Sequence, residues 1–192
     1  MRAFKLGNIL FLLLALACGN KKKSSKKEIS SVLPKAEIAF TSMKKEELMT
    51  YLPAMNEFEK KGDPSGEDAH VGASGNKYYS YARQYYEKDK QSYSVEIIDY
   101  KDDTATLSGL QNMYGFNTDS IRTAEFISYV ENIQIDKVRC VVTKYTNEPQ
   151  GRLVAAVNNR FLVIVNATGS TDIKPLKELA ENAGLAELSK LN

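Results

Sequence analysis

Among 192 residues, 26 are Lys or Arg and 24 are Asp or Glu, a formal net charge of +2. The excess lies at the start: Arg2, Lys5, Lys21, Lys22, Lys23, Lys26 and Lys27 all precede the first acid, so residues 28–192 carry 19 basic and 24 acidic side chains, net −5. A folded part of that sign lacks the basic footprint of a nucleic-acid binder, and one histidine with two cysteines is poor material for zinc, which takes three or four such ligands.

The chain opens MRAFKLGNILFLLLALAC. Arg2 and Lys5 precede an uninterrupted apolar run from Ile9 to Ala17. Nine residues are too few to cross a bilayer, which takes about 20, but they suit the apolar core of a signal peptide. Ala15-Leu16-Ala17-Cys18 resembles the lipobox of bacterial lipoproteins, with Ala15 where Leu or Val is usual and Leu14 one step further out. The resemblance implies cleavage after Ala17 and a diacylglyceryl group on the Cys18 thiol. It also implies a further, palmitate-type chain on the new α-amine. Two or more chains anchor firmly where one does not. Gly19 rather than Asp after the cysteine resembles outer-membrane sorting, which places the protein in the cell envelope, facing the periplasm.

Residues 19–35 are rich in Lys and Ser and read as a tether whose lysines can meet anionic headgroups or keep a spacer solvated. The expected organisation is thus a signal peptide over 1–17, a lipidated cysteine and tether over 18–35, and one domain over 36–192. In that domain 43–52 reads as a short helix ended by Pro53, and 62–76 (GDPSGEDAHVGASGN) as a turn-rich loop.

Residues 77–87 (KYYSYARQYYE) alternate as a strand, with Tyr79, Tyr81, Arg83 and Tyr85 on one face and Tyr78, Ser80, Ala82, Gln84 and Tyr86 on the other. A turn at 88–91 returns the chain along 93–100, giving a hairpin. Residues 104–114 read as a helix, and 123–130 and 133–145 as two strands. The strongest pattern follows: two apolar runs, 152–157 and 160–165, joined by Asn158-Asn159, a pair that tolerates the positive φ of a tight turn. Their centre-of-sheet placement predicts burial of Val154, Ala156, Phe161, Val163 and Val165. The close is a helical stripe (Ile173, Leu176, Leu179, Ala180, Ala183), a stop at Gly184, and a second stripe (Leu185, Leu188, Leu191).

Several landmarks from Leu52-Pro53 onward resemble a family of uncharacterised exported bacterial proteins. They are the Tyr-rich hairpin running into Val95-Glu-Ile-Ile-Asp99, the Asn159-Arg-Phe-Leu-Val163 strand, Gly169 and the Leu-rich tail. The layout also resembles the α/β/α sandwich of Mog1/PsbP-like proteins. The expected fold class is α+β: a central, mainly antiparallel sheet with short helices on one or both faces.

Few residues carry recognisable chemistry. His70 is alone in the chain. Asp99, Asp102 and Asp103 have Thr104 and Leu110 where a calcium loop needs a glycine and an acid, so they read as a charged turn. Cys140, between Val138 and Val142 on one face of a strand, reads as a buried small hydrophobe. No nucleophile elbow or phosphate loop occurs. No catalytic residue, metal or cofactor is assigned. The candidate surface is Tyr79, Tyr81, Arg83 and Tyr85, able to meet an envelope protein or a glycan, against core packing under a helix as the structural alternative. The expected function is a membrane-anchored, non-enzymatic binding or envelope-assembly domain. The alternatives are a small-molecule carrier or a small envelope hydrolase.

Lipidation is read directly from the mature amino terminus. Mass spectrometry is expected to find it at Cys18 with the acyl mass added; an unmodified Cys18, or cleavage elsewhere, contradicts the assignment.

Overall fold

The computed structural model describes residues 41–71, 77–131, 133 and 135–192, all within the compact unit Ile38–Asn192. Ala17, Cys18 and the tether lie outside the described residues. Twelve elements follow in order: α1 (Lys45–Met49), β1 (Glu59–Val71), β2 (Lys77–Lys88), β3 (Gln91–Asp99), α2 (Thr104–Met113), β4 (Ser120–Arg122), β5 (Phe126–Glu131), β6 (Val138–Tyr145), β7 (Gln150–Val157), β8 (Phe161–Thr168), α3 (Ile173–Asn182) and α4 (Leu185–Leu188). The strands form a single antiparallel sheet in the order β1-β2-β3-β8-β7-β6-β5-β4, flanked by short helices. The expected α+β architecture is the observed one.

Local chemistry sets the two central hairpins. Asn158 and Asn159 take φ of 51° and 49°, and Asp89 and Lys90 take 52° and 63°. Asp89 and Lys90 are the paired left-handed residues of the two-residue turn between Lys88 and its partner Gln91, and Asn158 and Asn159 open the three-residue connection 158–160 between Val157 and its partner Phe161. The Asn-Asn hairpin, β7 and β8, occupies the centre of the sheet, and Val154, Ala156, Phe161, Val163 and Val165 are all buried.

Side chains alternate between the faces. On the first face Val95, Ile97, Cys140, Val142, Leu153, Ala155, Phe161, Val163 and Val165 meet Leu48 of α1, Leu176, Leu179 and Ala180 of α3, and Leu185 and Leu188 of α4. Asp172 caps α3 by accepting from the Lys174 N–H at 3.0 Å, and Pro175 falls in the first turn, where its missing N–H costs nothing. Gly184, at φ 69°, turns the chain into α4. A Cβ there would stand 2.6 Å from Tyr51 Cδ1, so both the backbone and the neighbour demand glycine. On the second face Ile98, Val141, Val154, Ala156, Leu162 and Ile164 pack against Leu107 and Phe116, from α2 and the segment after it.

Three expectations need correction. Residues 62–76 were expected as a loop, yet the described part belongs to β1, paired with β2 from Glu59 to Val71 with a register shift between Lys61 and Ser65. Its glycines, Pro64 and charges are those of a protected edge strand, which discourages further pairing with charge, proline and a bulge. The first helix is shorter than 43–52. The stretch 123–145 holds two strands whose limits differ from those expected, and β4 precedes them as an unforeseen edge of three residues.

The acids of the charged turn after β3 are structural. Asp99, fully buried, accepts from Arg160 Nη2 at 2.6 Å and Nε at 3.0 Å, from the Met43 N–H at 2.8 Å and from the Lys101 N–H at 2.9 Å. Asp102 accepts from the backbone N–H and the hydroxyl of both Thr41 and Ser42. Burial raises the Asp102 pKa, but the hydrogen bonds from Ser42 and Thr41 together outweigh it and hold the carboxyl below its ordinary value. Asp103 caps α2 through the Thr106 N–H at 3.3 Å.

Phe161 is fully buried beneath α3 and α4. Replacing it with Ala is expected to cost about 3–5 kcal/mol, measured by denaturant unfolding. An unchanged midpoint contradicts the central placement.

Candidate functional site: the open lane of the second sheet face

The second face is covered unevenly. α2 and the residues after it sit over Ile98, Leu162, Ile164, Val154, Ala156 and Val141. Further along the same strands the residues turn polar, and strand register brings them into one row. Tyr85 of β2 pairs with Ser94 of β3, Ser94 with Asn166 of β8, Asn166 with Arg152 of β7, Arg152 with Thr143 of β6, and Thr143 with Ser128 of β5. Cross-strand partners on one face lie about 4.5–5.5 Å apart at Cβ, so the row is a continuous lane across the sheet.

Hydrogen bonds tie the lane together. Arg152 Nε donates to Asn166 Oδ1 at 2.7 Å, Asn166 Nδ2 donates to Ser94 Oγ at 3.3 Å, and the Ser128 and Thr143 hydroxyls are 3.1 Å apart. Arg152 makes no ion pair among the described residues. Beside the lane Arg83 Nη2 donates to Glu96 Oε2 at 2.6 Å, and this bond raises the guanidinium pKa further.

The four residues singled out from the alternation share this face. Tyr85 is half exposed, at 50%. Arg83 is partly exposed and lies 5.8 Å over the Tyr81 ring, within cation–π range. Tyr79 stacks on Tyr100 with ring centroids 5.6 Å apart, and Tyr79 and Tyr81 pack at the margin of the α2 cluster. The stripe therefore divides: Tyr79 and Tyr81 spend much of their surface on packing, and Tyr85 and Arg83 face outward. Core packing is the work of the other face of β2, where Tyr78, Ser80, Ala82, Gln84 and Tyr86 are all buried.

Ser94, Asn166, Arg152, Thr143 and Ser128 were not found from sequence. Arg152 and Asn166 had one visible signal, as polar residues at the ends of otherwise apolar runs. The alignment of all five residues needs the register of five strands, which no local pattern carries.

Elsewhere the chemistry is structural. His70 lies on β1 rather than in a loop, edge-on to Tyr78 with centroids 5.1 Å apart. Ser80, on the neighbouring strand, donates its hydroxyl to the Met43 carbonyl, and Asp68 accepts from the Lys45 N–H at 2.9 Å. Ser80 is thus engaged as a donor to backbone rather than poised beside a base. Among the described residues no group of three or more His, Cys, Asp or Glu side chains could hold a metal ion. No helix among them is long and apolar enough to cross a membrane.

Fold and lane define an α+β sandwich whose second sheet face carries a partly exposed row of tyrosine, arginine, amide and hydroxyl groups. No family model matches the chain, and no curated protein matches it. The chain is similar to a solved structure of an uncharacterised protein from Mycobacterium smegmatis, at 17% identity over 73% of this chain and 93% of that one, with a TM-score of 0.43.

Cys140 is fully buried, and burial, followed by the Glu131 carboxylate, pushes its thiol up to about 12. A thiolate is the reactive form, so Cys140 is expected to resist iodoacetamide at pH 8 in the folded protein and to react once urea unfolds it. Rapid alkylation of the folded chain contradicts its placement.

Proposed function

We propose that the protein is a membrane-anchored envelope lipoprotein whose domain binds a neutral glycan chain along the open lane. The observation that carries this reading is the lane itself: a row of hydroxyl, amide and guanidinium groups crossing five strands, partly exposed at Ser94, Asn166, Arg152 and Thr143, buried at Ser128, and flanked on β2 by the half-exposed Tyr85. Sugars offer hydroxyls to such groups and C–H faces to a tyrosine ring, which has an apolar body and a polar tip. The net charge of −5 over residues 28–192 disfavours a polyanion.

The point of chain entry supports the same reading. Thr41, Ser42 and Met43 are bound by Asp99 and Asp102 at the end of β3. The lane crosses β3 at Ser94, five residues back, or about 17 Å along a strand. Thr41 to Met43, the first described residues, are thereby held apart from the lane. Anchoring by Cys18 and reach through residues 19–35 raise the local concentration of an envelope polymer around a weak site.

Sedimentation with insoluble chitin, an uncharged polymer of N-acetylglucosamine, tests the reading. Tyr85→Ala and Arg152→Gln are each expected to weaken binding about tenfold, which corresponds to about 1.4 kcal/mol. Tyr85→Ala should leave the melting temperature within about 2 °C, as for a surface change. Equal sedimentation of both variants and the parent, or no sedimentation of the parent, contradicts it.

A further inference from the structure

A second feature lies on the same face at the opposite end of β6 and β7. A cavity of about 370 Å³ opens between the segment 111–117 and the β7–β8 turn, lined by Gln111, Phe116, Asn117, Lys137, Arg139, Ala156, Asn158 and Asn159, with Val138 completing it. Its volume is within the range of small-molecule sites. Arg139 and Ala156 are cross-strand partners in its wall. Phe116 and Ala156 are buried and supply an apolar floor.

The charge of the lining is one-sided. Lys137 and Arg139 both border the cavity, no carboxylate does, and neither cation makes an ion pair among the described residues. The Lys137 backbone is fixed at φ 61°, and its carbonyl accepts from the Asn158 N–H at 3.0 Å. The lysine, just ahead of β6, is therefore held against the turn that supplies Asn158 and Asn159. Two of the four carboxamides are partly committed: Asn158 Nδ2 donates to the Leu191 carbonyl, and Asn117 Nδ2 to Asn112 Oδ1. Gln111 and Asn159 remain, each with a donor and an acceptor.

We infer that this cavity binds a small hydroxylated carboxylate of the uronic-acid type. The carboxylate would be met by Arg139 and Lys137, the hydroxyls by the carboxamides, and one C–H face of the ring by Phe116. Arginine is suited to the carboxylate because its planar fork can meet both oxygens at once. The inference uses none of the lane residues, so it stands or falls separately from glycan binding there.

Titration of the full chain in detergent micelles with glucuronate, glucose and inorganic phosphate, followed by side-chain amide and backbone NMR shifts, tests it. Glucuronate is expected to bind at least tenfold more tightly than glucose or phosphate and to shift the side-chain amides of Gln111 and Asn159. Arg139→Gln and Lys137→Gln, both at exposed positions, are each expected to cost about tenfold in glucuronate affinity with the melting temperature unchanged. Equal binding of glucose shows that the cations are not used and overturns the inference. Equal binding of phosphate shows that charge alone is read and overturns the assignment of the hydroxylated body. Shifts confined to the lane residues, or glucuronate affinity unchanged in both variants, also overturn it.

Discussion

Eight strands spaced about 4.8 Å apart make a sheet roughly 34 Å across, and the ten-residue helix on its second face is only about 15 Å long. That mismatch governs the rest of the structure. α1, α3 and α4 together cover the first face, where Leu48, Leu176, Leu179, Leu185 and Leu188 are fully buried. On the second face α2 and Phe116 protect the apolar patch made by Leu162, Ile164, Val154 and Val141. The same strands then change character. β6 passes from Val141 to Thr143, β7 from Val154 back to Arg152, and β8 from Ile164 to Asn166, each a step of two residues along one face. Apolar residues stand where the helix reaches and polar residues where it does not.

Asp99 makes this arrangement rigid at one end. Its carboxylate joins the chain entering the domain at Met43, the start of the segment leading to α2 at Lys101, and Arg160 at the head of β8. Arg160 also donates to the Asn192 carbonyl, as does Lys101, so the segment after α4 is drawn to the same place. A buried pair of this kind costs desolvation and need not add net stability, but loss of one partner strands a charge in the interior. Its use here is to draw the segment before α1, the connection from β3 to α2 and the segment after α4 to one end of β3.

Local patterns revealed much of this and missed what depends on distance. The β7–β8 hairpin was legible because two apolar runs flank a residue pair that accepts positive φ. The alternation of β2 separated Tyr79, Tyr81, Arg83 and Tyr85 from the buried Tyr78 and Tyr86. β1 was not legible, because an edge strand protected by charge, glycine and proline has the composition of a loop. The role of Asp99 was hidden because Arg160 lies 61 residues away. The lane was hidden for the same reason: Ser94, Asn166, Arg152 and Thr143 are unremarkable singly and become a surface only through register.

Neutral-glycan binding is proposed for the lane on the second face, and for neither the buried first face nor the cavity at the far end of β6 and β7. Tyrosine-ring NMR during titration with a neutral N-acetylhexosamine tetrasaccharide tests it most directly, because tyrosines mark both faces of β2. The account predicts shifts of the Tyr85 and Tyr81 rings, with the buried Tyr78 and Tyr86 rings of the opposite face unchanged. Shifts at Tyr78 and Tyr86 without Tyr85, or no shift at millimolar sugar, would contradict it.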